Sequence, residues 1–196
     1  AARAARDRVL DRLVLAGVAI SFIIMAGANI LIFLGDPKAT HTVAFWMLGG
    51  LGLAQWSHLI YPIAVLIPVS LWLWSRSAAL NAMSLGDETA ASLGIPVARF
   101  RLSVFVAGAL ITGVMVAFSG LIGFVGLIVP HVVRFLWGGD YRRILPLSVL
   151  GGAALLLLAD VLARVLMAPQ ELPVGIITAL AGAPFFLWLL RRARQQ

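Results

Sequence analysis

Long stretches without a single charged side chain constrain this fold more than any other feature of the sequence. Leu13 to Gly35, Thr42 to Ser75 and Leu102 to Val133 all run without Asp, Glu, Lys or Arg. A helix rising 1.5 Å per residue needs about 20 apolar residues to cross a hydrocarbon layer of about 30 Å. The first stretch suffices for one crossing. The second is too long for one helix and too short for two, and it is broken near Gln55, Ser57 and His58. It reads as a short membrane-surface helix over 42–54 and a span over 57–75, with Pro62 and Pro68 expected to kink or strain that span. The third carries Gly120, Gly123 and Gly126 at intervals of three. That pattern predicts a span over 102–120, a tight reversal, and a further span ending near Trp137. Residues 146–167 and 174–190 complete a set of about six transmembrane helices. The apolar runs are continuous and do not alternate, so an all-α membrane protein is expected and a lipid-facing barrel is not.

Composition agrees. The 196 residues are 62% hydrophobic and only 12% charged, against about 45–50% and about 25% in soluble domains. So little charge could not cover the surface of a water-soluble globule, and disorder is excluded for the same reason. Cysteine is absent, which removes disulfides, thiolate metal sites and cysteine nucleophiles. The net charge of +7 has a topological reading. Every arginine except Arg134 and Arg164 falls in residues 1–12, 76–101, 138–143 or 191–196. If those segments are cytoplasmic, the outer loops hold only Lys38, a strong positive-inside bias that places both ends of the chain inside. Trp46, Trp56, Trp72, Trp74, Trp137 and Trp188 fall mostly near expected interfaces, as belt residues do. The chain opens Ala-Ala-Arg without Met, and its start is expected to be a cut.

The chemistry open to such a chain is narrow. A phosphate-binding loop needs Gly-Lys-Ser/Thr, but the single lysine, Lys38, is followed by Ala39. His41, His58 and His131 are too scattered in sequence to suggest a zinc site. There is no Gly-x-Ser-x-Gly elbow. The chain is expected not to be an enzyme and to hold no metal or cofactor of its own. What remains is a transporter part powered by another subunit, an ion-gradient-driven secondary transporter, or a membrane scaffold. A secondary transporter needs a buried mid-membrane carboxylate, and all the acids lie in loops or near span ends.

The longest polar segment, residues 76–101, is itself structured. Asp87 and Glu88 stand where the first turn of a helix favours negative charge. Gly94 suits a left-handed C-terminal cap, and Pro96 prevents continuation. Ala78 to Leu85 forms a second short helix, with Gly86 as the elbow. Leu80, Met83, Leu85 and Leu93 on so small an exposed element mark a docking surface rather than a bare connector.

These residues resemble a known family. Leu80-Asn81-Ala82-Met83-Ser84-Leu85-Gly86-Asp87-Glu88-Thr89-Ala90-Ala91-Ser92-Leu93-Gly94 resembles the coupling loop of the FecCD permeases of ABC importers, which carry iron-siderophores, haem and cobalamin. Gly123-Phe124-Val125-Gly126-Leu127-Ile128-Val129-Pro130-His131 with Arg134 is similar to that family's most recognisable string. Phe45-Trp46-Met47-Leu48-Gly49, Leu158-Ala159-Asp160 with Ala163-Arg164, Glu171-Leu172-Pro173-Val174-Gly175 and Gly182-Ala183-Pro184-Phe185-Phe186 match in order. Leu121 departs from the pattern, which often has proline there.

The resemblance implies a single transmembrane permease domain over residues 1–196, with the coupling loop at 76–101 inside it. It implies about ten spans where six are counted, so the chain looks like the C-terminal part. It further implies a bacterial inner-membrane location, a homodimer, and a pathway lined by residues 13–34 and 174–190. Two ATPase subunits that bind ATP and Mg would meet Leu80, Asn81, Met83, Leu85, Gly86, Glu88, Leu93 and Gly94. A periplasmic or lipoprotein binding protein would dock at Arg164 and Glu171. Gly123, Gly126, Pro130, His131, Arg134 and Asp160 become structural or gate candidates. From the residues alone, Asp160 and Arg164 share a helix face and are expected to pair. Glu171 either caps the helix entering the last span or faces the binding protein. His131 and Arg134 are expected to hydrogen-bond backbone carbonyls at the reversal, with Pro130 in a helical first turn.

Overall fold

The computed structural model describes the backbone of residues 2–52 and 54–193, and the side chains of 15–36, 40–52, 54–189 and Arg191. The described residues form helices and connections and no strand. The chain divides into two compact units, Ala1–Ala44 and Phe45–Gln196.

The first unit is built on α1 (Ala2–Leu34). From Leu15 onward its side chains stand almost uniformly exposed, Phe22 at 71% and Phe33 at 86%. Water would not tolerate such a helix, whereas lipid or an apolar partner would. The helix closes at Gly35, whose N–H donates to the Ile32 carbonyl at 3.2 Å. Pro37 then opens α2 (Pro37–Met47), because a first helical position has no use for the N–H that proline lacks. The surface helix expected over 42–54 therefore starts earlier and stops sooner. Gly49, at φ +72°, ends it.

The second unit takes in the end of α2, then a 3₁₀ turn, Trp56–His58, and continues through α3 (Ile60–Ser75), α4 (Ser77–Ser84) and α5 (Asp87–Ser92). It ends with α6 (Val97–Ser119), α7 (Val125–Trp137), α8 (Tyr141–Val165) and α9 (Val174–Ala193). Helix α7 packs on α8, α3 on α6, and α8 on α9. The unit has two ends. Helices α4 and α5 lie at one, beside the start of α8. The other gathers residues 45–52, the end of α6, the end of α8 and the approach to α9.

The buried core is small. Val129, Val133 and Ile144 form one cluster, and Ala159, Ala163 and Val174 another. Between helices in lipid there is no hydrophobic drive to associate, so close packing must hold them together. Alanines at the second cluster let α8 and the start of α9 approach closely.

Among the described residues, four helices are long and apolar enough to cross a membrane: Leu15–Leu34, Trp56–Ser75, Val97–Ser119 and Tyr141–Val165. The other two expected spans are shorter. Helix α7 has 13 residues and rises about 20 Å. The apolar part of α9 is Val174–Leu189. Residues 120–124 make the reversal, and irregular backbone at membrane depth survives only where protein covers it. Gly120 is buried there.

Three further expectations are corrected. Pro130 lies in the interior of α7 and not in its first turn. Pro62 sits in the first turn of α3, where it is harmless, and only Pro68 is interior. Gly123 and Gly126 face open space; among the three spaced glycines only Gly120 makes a close approach.

Candidate functional site

At the first end, the chain leaves α4 through Leu85 and turns at Gly86, whose φ of +126° favours glycine. Helix α5 then closes on a two-bond C-terminal cap. The Gly94 N–H donates to the Ala91 carbonyl at 2.9 Å, and the Ile95 N–H to the Ala90 carbonyl at 3.1 Å. Gly94 has φ +79°, the left-handed geometry this cap requires. Ala90 is wholly buried beneath it. The Arg101 guanidinium donates to Asp87 Oδ1 at 2.7 Å and ties α5 to α6. Such a half-exposed pair contributes about 0.2–1 kcal/mol, enough to orient a small element. The loop is thus compact, and it offers Leu85 (75% exposed) and Leu93 (67%) outward. Glu88 and Gly94 are exposed beside them, while Leu80, Met83 and Gly86 are half-buried.

Asn81 behaves differently from its neighbours. Its Nδ2 donates to Asp140 Oδ1 at 2.7 Å, and its Oδ1 accepts the Tyr141 N–H at 2.9 Å. Asp140 caps α8 by accepting the Arg142 N–H at 2.9 Å. The Asn81 hydrogen bond, then the Arg142 amide, hold the Asp140 carboxyl below its ordinary 3.8. Trp74 Nε1 donates to the Arg142 carbonyl at 3.0 Å. Arg134 does not reach a backbone carbonyl as expected. It donates to the Tyr141 hydroxyl at 3.2 Å and lies 5.6 Å from that ring's centre, within cation–π range. His131, likewise, sits edge-on to Phe185, 6.4 Å between ring centres.

At the opposite end four glycines bring backbone against backbone. The Gly50 N–H donates to the Ser119 carbonyl at 2.9 Å, and the Gly175 N–H to the Gly49 carbonyl at 3.2 Å. A Cβ on Gly120 would strike the Trp46 carbonyl oxygen, and one on Gly175 the Leu48 carbonyl oxygen. Beside this junction lies a cavity of about 190 Å³, lined by Trp46, Gly50, Ser119, Asp160, Arg164 and Glu171 among others. Arg164 bridges both acids. Its Nε donates to Asp160 Oδ2 at 2.9 Å and its Nη1 to Glu171 Oε1 at 3.3 Å. The expected Asp160–Arg164 pair is therefore present. Glu171 pairs with Arg164.

Sequence reasoning passed over Asp140, Tyr141, Gly49 and Gly175 as acting residues. Asp140 was findable, because an Asp after Gly138-Gly139 and ahead of a helical run is an N-cap signature. Gly49 and Gly175 carry no local signal, since what they approach is remote in the chain. Among the described residues no three His, Asp or Glu converge as a metal site.

Long apolar helices, a structured polar loop at one end and a charged cavity at the other define a multi-pass membrane protein with an ordered polar surface at each end. The FecCD transport family model matches residues 2–192, and the chain belongs to that family. It is 44% identical over 187 residues to the Hemin transport system permease protein HmuU of Yersinia pestis, covering 95% of this chain and 56% of that protein. It is 42% identical over 192 residues to the Vitamin B12 import system permease protein BtuC of Citrobacter koseri, covering 98% and 58%. A solved structure described as an inward-facing conformation of a metal-chelate type ABC transporter superposes with a TM-score of 0.83 at 35% identity, covering 91% of this chain and 58% of that one. The chain spans a little over half the length of these relatives.

Proposed function

We propose that this chain is the C-terminal part of the permease subunit of an ATP-driven importer in a bacterial inner membrane, with a metal chelate as cargo. The observation that carries this reading is the α4–α5 loop. It is capped at its C-terminal end, tied to α6, and offers two exposed leucines at one end of long apolar helices. Such a surface suits an ATPase subunit. ATP and Mg belong to that partner. The unbroken family match over residues 2–192 supports treating residues 1–196 as one permease domain.

The finer reading is as follows. Both ends of the chain and the α4–α5 loop lie in the cytoplasm, as the arginine distribution favours. Two permease copies enclose a pathway along residues 13–34 and 174–190. Closure of the ATPase subunits moves residues 80–94, and the helices switch between outward-open and inward-open states. Arg164 and Glu171 receive a binding protein; because Arg164 already holds two acids, an incoming carboxylate displaces one of them. Gly123, Gly126, Pro130, His131, Arg134 and Asp160 serve the reversal and the adjoining helices. Haem, cobalamin and iron-siderophores are the cargo candidates, the first two being named for the relatives above.

The test uses the full-length permease expressed with its genomic ATPase and binding protein. Leu93→Glu, which puts a charge on the exposed face, is expected to abolish ATPase co-purification and uptake while leaving membrane insertion unchanged. Uptake of labelled haem, cobalamin and ferric siderophores identifies the cargo. Unchanged ATPase binding in Leu93→Glu overturns the role of the loop.

A further inference from the structure

We propose that Asn81 is a positioning residue that fastens the α4–α5 loop to α8, so that displacement of the loop is carried into α8. This rests on the importer reading above.

The loop has other anchors too: α4 packs on α8, and Trp74 just ahead of the loop donates to the Arg142 carbonyl. Its covalent ends lead into α3 and α6, and the Asp87–Arg101 pair joins it to α6, the helix that follows directly. Asn81 instead reaches residues 59 and 60 positions away. Its amide is used at both atoms, donating to Asp140 and accepting from Tyr141. Asp140 Oδ1 also takes the Arg142 N–H. Two of the otherwise unpaired amides in the first turn of α8 are thereby satisfied, one by the cap and one by the loop.

The chemistry demands an amide here. Aspartate offers no donor to Asp140 and sets two carboxylates within hydrogen-bonding distance. Leucine or alanine offers nothing. From this point α8 runs as one continuous helix, with Pro146 in its interior, to Asp160 and Arg164, so a pull on its first turn is passed along one element toward the charged cavity. Helix α7 is drawn in as well, since Arg134 holds the Tyr141 hydroxyl. Sequence resemblance groups Asn81 with the residues that meet the ATPase; the hydrogen bonds assign it to the inward side of the loop.

Asp140→Asn keeps an amide oxygen that can accept from both Asn81 Nδ2 and the Arg142 N–H, as Oδ1 does now. Asn81→Asp removes the donor and breaks the tie, and Asn81→Ala removes it without adding charge. In the assembled full-length transporter, Asn81→Asp and Asn81→Ala are each expected to lower uptake per ATP hydrolysed about tenfold, with Asp140→Asn near wild type. Amide exchange at Tyr141 is expected to quicken in Asn81→Ala and to stay near wild type in Asp140→Asn.

Wild-type coupling in Asn81→Asp or in Asn81→Ala overturns the inference. So does loss of assembly in both single Asn81 variants, or uptake falling only in proportion to ATP hydrolysis. A wild-type transporter with no ATP-driven uptake overturns the importer reading itself, an outcome distinct from all of these.

Discussion

Gly120 sits at φ +68°, ψ −163°, a region that side chains other than glycine's enter at a cost of about 1–3 kcal/mol. Its missing Cβ is also the space that the Trp46 carbonyl fills. Gly120→Ala is therefore expected to lower the thermal midpoint of the purified full-length protein sharply. Gly126, inside α7 with open space around it, is the contrast: Gly126→Ala is expected to be neutral or to add about 0.5–1 kcal/mol of stability. A melting curve in detergent for both variants checks the pair. The spacing of three drew equal attention to Gly120, Gly123 and Gly126, yet only the first is tightly packed. The reason is physical. A glycine's need is set by what comes near it, and here that is a carbonyl far away in sequence. The reverse holds for Gly94, whose cap is made by residues directly before and after it. That residue was legible from sequence because all its partners are local.

Among the elements, the α4–α5 pair follows the sequence most closely: its breakpoint at Gly86 and its end at Gly94 stand where residue chemistry puts them. Helix α7 follows it least. Its apolar run continues unbroken into α6, so only the positive φ values at Gly120 and Phe124 reveal where the chain reverses, and Pro130 is left in a helical interior. The tie between loop and α8 has its own pH signature. Because Asp140 titrates below its ordinary 3.8 when bonded, the ionised form stabilises the fold above that value, and the contribution is lost as pH falls through the lowered value. Hydrogen exchange across residues 77–93, corrected for intrinsic rates, is expected to show no pH dependence from this group between about pH 5 and 8, where its stabilisation is fully present. It is expected to rise in stronger acid, and Asp140→Asn removes the acid-dependent part.

For the whole molecule, the two ends of the Phe45–Gln196 unit make topology testable. The sequence holds no cysteine, so single cysteines report position cleanly once any others in the full-length protein are replaced. Leu93 and Gln170 are both exposed, one at each end. In intact cells a membrane-impermeant maleimide is expected to label a cysteine at 170 and to spare one at 93 until the membrane is opened. Labelling in the opposite order overturns the orientation. The all-helical, membrane-crossing build was legible from uncharged runs, since lipid imposes length and apolarity on any segment that crosses it. The charged cavity was legible only in part: Asp160 and Arg164 share one helix, whereas Glu171 joins them through the fold. That three-membered arrangement has a consequence for any acidic visitor on the far face. A cation already shared between two anions can trade one for another without ever standing bare, so attachment there resembles a relay in which the baton is never put down, and release is as easy as capture.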